Sequence, residues 1–330
     1  MNKTLLILIF SNFLHAELIL EITQGIDNPY RVALVQFEGN ENISKDINEV
    51  IRNNLTRSGE FKIFENDDLI SNPSDETQVI FNDFKILDID YLILGKIIEE
   101  GAGISVIYEI YDINKSKKIR TSTVFGIPNK NRQLSHYISD GIYEEITGIK
   151  GISSTKILYV TEKDNFNLVI ADADGSNEQI LLKSNDPIIS PSWSPDSKKV
   201  AYVSFETGMA KVYIQNIATG KRELAIENSS QISSPSWSPD GKFLSLTMYQ
   251  DGNAEIYILN LKNKKLTRLT NHYSIDTESS WSPKGSKIIF TSGRSGSPQI
   301  YELNLTRSNS KPKRLTLSLI HISEPTRQLQ

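Results

Sequence analysis

Hydrophobic positions keep two different rhythms along this chain. Between residues 30 and 147 the spacing alternates. Arg31–Phe37 is a β-type run, and Ile43, Ile47, Val50, Ile51 and Leu55 then recur at the spacing of an amphipathic helix. Phe61–Phe64 predicts a strand and Glu76–Phe84 a short helix. Tyr91–Ile98 and Ile104–Ile113 are β-rich runs on either side of a turn at Gly101 to Gly103, Ile119–Phe125 is a further strand, and Arg132–Ile146 is a closing amphipathic helix. Strands interleaved with helices predict an α/β domain over 30–147. A linker is expected over 148–155.

From residue 156 the rhythm becomes a repeat. Trp193, Trp237 and Trp281 are spaced by 44 residues, and Tyr213, Tyr257 and Tyr301 keep the same period. A repeat of about 40 to 50 residues with β patterning predicts propeller blades. In the middle copy, Pro235–Lys242 places Trp237 at a strand end, followed by a turn in which Pro239 presets φ and Gly241 accepts φ > 0. Strands are expected over Lys242–Met248, Ala254–Leu261 and Leu266–Thr270, with turns at Asp251–Asn253 and Asn263–Lys265. A weaker copy at Ile157–Thr161 and Leu168–Ala171 lacks the Trp motif and predicts a blade that takes one strand from elsewhere. The tryptophans are expected to pack blade against blade. Blades are expected over 156–316, which hold about four repeats. Residues 317–330 keep no such pattern and are expected to be a non-native tail in place of the native C-terminus.

The beginning of the chain changes the picture of location. Lys3, the apolar run Leu5–Phe10 with Phe13 and Leu14, and Ala16 form the pattern of a signal peptide over 1–16. The run is shorter than the roughly 20 residues that cross a bilayer as a helix. Loss of Lys3 with that peptide takes the formal charge from −4 to −5. The 36 basic and 40 acidic residues are interspersed, so neither a nucleic-acid partner nor direct membrane insertion is expected. Absence of cysteine excludes disulfides, thiolate zinc sites and cysteine nucleophiles.

Catalytic chemistry finds no candidate. His15, His136, His272 and His321 contain no pair at metal-ligand spacing, and Gly293–Ser297 fails the G-x-S-x-G pattern at its last position. No catalytic residue, metal or cofactor is predicted. A secreted, non-enzymatic, monomeric binding protein is the expectation.

The stretch Glu17–Gly25, the linker Thr147–Gly151, the runs Ala201–Glu206 and Tyr213–Asn216, the repeated W-S-P-D-G motif, and Thr270–His272 with Asp276–Glu278 resemble the TolB family of the Tol-Pal envelope system. The resemblance implies a periplasmic adaptor with an α/β N-terminal domain and an all-β propeller of six blades, of which about four are present here. It implies a role in outer-membrane integrity and in constriction during cell division. It also implies two partners. The lipoprotein Pal would bind loops that enter each Trp motif: Asp186, Pro187 and Ile188; Gln231, Ile232 and Ser234; Ile275, Asp276, Thr277 and Glu278. TolA would bind the segment over 17–29, through Glu17, Leu18, Ile19, Leu20, Glu21, Ile22, Thr23 and Gln24, whose alternation suits an added strand. At Ser230–Ile232 the sequence departs from the Gly-His-Asn-like element of similar proteins. The alternative expectation is the propeller portion of a truncated prolyl-oligopeptidase-like secreted peptidase.

Overall fold

The computed structural model describes residues 28–316, apart from 102, 128–129, 228–229, 251 and 308–309. The expected signal peptide, the segment Glu17–Gln24 and the tail over 317–330 lie outside the described residues. The chain divides into two compact units between Ser154 and Thr155.

The first unit is an α/β layer structure. Strand β1 (Tyr30–Leu34) leads into helix α1 (Glu41–Arg57), which Asn40 opens by accepting from the Ile43 amide. Strand β2 (Phe61–Phe64) returns parallel to β1, and β3 (Tyr91–Glu100) pairs parallel on its other side. Strands β4 (Gly103–Asp112) and β5 (Lys117–Gly126) follow as antiparallel neighbours, giving the order β2-β1-β3-β4-β5. Helix α3 (Asn131–Thr147) covers one face together with α1: Ile47, Ile51, Leu55, Leu134, Ile138 and Ile142 bury against Val32, Ile93 and Val106. The other face closes on Phe84 and Ile89. Gly148 ends α3 at φ 73°, where a side chain would be strained. The chain after it is held down, because Asp140 accepts from the Ser153 and Ser154 amides at 2.6 and 2.9 Å.

One expectation here is corrected. Glu76–Phe84 is not a single short helix: Glu76–Gln78 is a 3₁₀ turn, Val79 and Ile80 are extended, and helix α2 covers Phe81–Ile86. Asp75 accepts from the Thr77 amide at 2.8 Å, and the β-branched Thr77, Val79 and Ile80 resist helix. Phe84 then enters the sheet face as the anchor of α2.

The second unit is a partial propeller. Its first sheet has three strands, β6 (Lys156–Glu162), β7 (Phe166–Asp172) and β8 (Gln179–Ser184). Three four-stranded sheets follow: β9 to β12 (Ile188–Trp193, Lys199–Ser204, Lys211–Asn216, Arg222–Leu224), β13 to β16 (Gln231–Trp237, Phe243–Gln250, Asn253–Asn260, Leu266–Arg268), and β17 to β20 (Asp276–Trp281, Lys287–Ser292, Gln299–Asn304, Lys313–Arg314). Every neighbour is antiparallel. The first strands β9, β13 and β17 lie beside one another, so the blades are stacked by their leading strands. The tryptophans close the junctions as expected: Trp237 joins a core with Val203 and Leu259, and its indole donates to Ser192 of the preceding blade at 3.3 Å.

Candidate functional site

The residues expected to form Pal-binding loops are mostly strand residues. Ile188 opens β9, Gln231, Ile232 and Ser234 lie in β13, and Asp276, Thr277 and Glu278 lie in β17. Asp186, Pro187 and Ile275 precede those strands. The prolines of this stretch resemble loop punctuation, yet Pro191 and Pro235 sit at irregularities of the ladder, where a missing N–H is tolerated.

Each leading strand carries the same irregularity. The register shifts after Ile189, Ser233 and Thr277, leaving two residues opposite one. The first bulged residue is left-handed each time, with φ 51° at Ser190, 49° at Ser234 and 55° at Glu278. None of them is glycine, so each holds backbone strain of order 1–3 kcal/mol that the surrounding blade enforces. The bulge of β17 also turns the Glu278 amide to Thr247 Oγ1 of the preceding blade, 3.3 Å away.

The leading ends therefore separate into anchors and presented groups. Ile188, Ile232 and Asp276 are buried and face inward. Asp186, Pro187, Gln231, Ile275 and Glu278 are exposed, and Ser234 and Thr277 are half-buried. Around them stand exposed apolar side chains that pattern reasoning passed over: Met209, Tyr249, Ile189 and Tyr273, the last 85% exposed with its ring tilted against that of His272 at 4.2 Å. Tyr249 pairs directly with Gln231 across the β13–β14 ladder. A lone aromatic in a polar connection, as in Asn271–Ser274, was the available signal.

Behind this face the crossings between blades are tied by one repeated position. Lys211, Glu255 and Gln299 are equivalent, 44 residues apart, and all buried. Lys211 Nζ donates to the Ser230 carbonyl at 3.1 Å, and Gln299 accepts from Thr316 Oγ1 at 2.8 Å. Glu255 accepts from Arg268, Thr270 Oγ1 and the His272 amide at 2.9, 2.6 and 2.7 Å. These bonds fix the chain that presents Tyr273 and Ile275.

In the last blade the anchor is charged. Asp276 Oδ2 accepts from Arg294 at 2.6 Å, and the guanidinium lies 5.3 and 5.0 Å from the rings of Phe290 and Tyr301. Such a face offers strained backbone, aromatic and aliphatic surface and a few carboxylates, which suits a protein surface as ligand.

Two family descriptions match the chain, the TolB amino-terminal domain over residues 18–119 and the TolB beta propeller domain over residues 143–327. The chain belongs to the TolB family. It is 46% identical over 214 residues to the Tol-Pal system protein TolB of Alcanivorax borkumensis, an overlap of 63% of this chain and 49% of that relative. With the Pseudomonas aeruginosa protein of the same name it is 39% identical over 212 residues, 62% of this chain and 49% of that relative. A crystal structure of TolB from Acinetobacter baumannii superposes with a TM-score of 0.79 at 36% identity, covering 88% of this chain and 72% of that one. The chain spans about half the length of the curated TolB relatives it matches. Among the described residues no helix is long and apolar enough to cross a membrane.

Proposed function

We propose that this chain serves the Tol-Pal system as a periplasmic, non-catalytic adaptor, binding Pal through the leading ends of its blades and TolA through Glu17–Gln24. The observation that carries the reading is the cluster of exposed Tyr249, Tyr273, Ile275 and Met209 around three strained leading strands. Exposed aromatic groups on a rigid frame are the usual anchors of protein interfaces, because they bury large area at little conformational cost. Joined binding at two ends of one chain would link envelope layers, in keeping with roles in outer-membrane integrity and constriction at division.

The test is quantitative capture on immobilised Pal and on immobilised TolA. Tyr273→Ala combined with Ile275→Ala is expected to weaken Pal capture at least about tenfold and to leave TolA capture unchanged. Deleting residues 17–24 is expected to do the reverse. Undiminished Pal capture by the double variant would refute the leading-end site, and undiminished TolA capture by the deletion would refute the segment.

A further inference from the structure

The five-stranded sheet of the first unit ends on β5, which has β4 as its sole strand partner among the described residues. The two halves of this free edge differ. Lys117, Lys118 and Arg120 place three cations on the first half, and the β4–β5 register shifts there, between Ile110 and Tyr111. Lysine, arginine and bulges are the devices by which sheets keep foreign strands off an edge. The second half, Thr121–Gly126, carries no charge, proline or bulge and is rich in β-branched residues.

An apolar hollow adjoins the unguarded half. Phe125 is 77% exposed, Ile127 55% and Tyr137 of α3 49%, and with Leu134 and Lys130 they surround a cavity of about 350 Å³. Gly126 forms its wall at close quarters, since a Cβ there would lie 2.5 Å from Leu134 Cδ1. An open row of backbone donors and acceptors beside a side-chain pocket is the arrangement used to bind an extended peptide as an added strand. The charge along the edge is of one sign: no residue from Lys117 to Gly126 is acidic, and Lys117 and Lys130 are exposed at its two ends.

We propose that the Thr121–Ile127 edge binds an extended segment of another protein, antiparallel to β5. An apolar side chain of that segment would fill the hollow at Phe125, Ile127 and Tyr137, with carboxylates toward Lys117 and Lys130. Charge argues against a second copy of this chain, since the edge of another copy carries no carboxylate of its own to meet Lys117 and Lys130. The edge and its hollow lie wholly within the first unit.

Fluorescence anisotropy on the full chain tests this with a set of nine-residue peptides that alternate Glu or Thr with Val, Leu, Phe or Tyr. Expected are saturable binding by members of the set, weaker binding of counterparts with Lys for Glu, and loss of binding when alternate peptide amides are N-methylated. Phe125→Ala with Ile127→Ala, both exposed and so harmless to folding, is expected to reduce affinity at least about tenfold. No binding by any member overturns the proposal, as does binding insensitive to N-methylation or to the double variant. Two further outcomes also overturn it: binding that emerges only after residues 17–24 are deleted, which assigns the edge to this chain's own segment, and sedimentation as a dimer abolished by the double variant.

Discussion

The indole Nε1 of Trp281 donates to the carbonyl of Ser236, 3.2 Å away in the preceding blade. Trp237 does the same to Ser192 at 3.3 Å. Each donor ends one leading strand and each acceptor stands one residue before the end of the leading strand of the preceding blade, so the bond sets the angle between blades. The ring also packs beside Ile256, Ile258 and Leu305.

Trp281→Phe keeps much of that apolar contact and removes the donor. A loss of about 1 kcal/mol is expected, the net worth of one hydrogen bond. Trp281→Ala also opens a cavity and is expected to cost about 3 kcal/mol. Urea unfolding followed by circular dichroism gives both values. Equal losses would mean that the bond, not the ring, holds the junction.

The buried pair Asp276–Arg294 makes a sharper prediction. Ile188 and Ile232 occupy the same place in the two preceding blades, so the fold does not require a charge there. Asp276→Ala strands a guanidinium whose side chain is only 14% exposed, and a cost of about 3 kcal/mol is expected. Arg294→Met alone leaves the carboxylate buried and should cost a similar amount. The double change Asp276→Ala with Arg294→Met should cost no more than either single change, about 3 kcal/mol, which is a coupling of about 3 kcal/mol in a thermal double-mutant cycle. Simple additivity would show that the two side chains do not act as a pair.

Much of this architecture was legible in the residues because packing and turn chemistry repeat together. Trp and Tyr recur where blades touch, and Pro239 with Gly241 announces the turn between β13 and β14. The bulges were not legible: Ser190, Ser234 and Glu278 are residue types that do not advertise φ > 0, and only the blade around them imposes it. For the same reason the leading ends resembled loops. The cations of β5 were visible as letters, whereas the bareness of Phe125 and Ile127 depends on where α3 stops covering the sheet.

Asp90 predicts a pH dependence in the first unit. It accepts from the Arg31 backbone amide at 2.9 Å and from the guanidinium at 3.2 and 3.1 Å, which joins β1 to the start of β3. Burial pushes its carboxyl upward, but the Arg31 bonds outweigh burial and hold it below its ordinary value. The ionised form is thus favoured in the folded chain, and its contribution is full above the unfolded value of about 4 and lost as pH falls through the folded one. Asp90→Asn is expected to cost about 1 kcal/mol at pH 7, the ion pair being partly screened, with the difference from the parent closing as pH falls below the ordinary carboxylate value. Melting curves from pH 7 to 2.5 check the sign. A gap that widens in acid would contradict it.

Glu278 allows strain and recognition to be separated at a single position. Its side chain is exposed on the leading face while its backbone holds φ 55°. Glu278→Gly and Glu278→Ala both remove the carboxylate, but only glycine relieves the left-handed backbone. The glycine variant should therefore be the more stable of the two by about 1 kcal/mol. If the carboxylate touches Pal, capture should fall alike in both variants even though their melting temperatures diverge. If the bulge itself is what Pal requires, alanine should bind as the parent does and glycine, free to leave φ 55°, should bind worse. Equal stability in the two variants would remove strain from the account of this face.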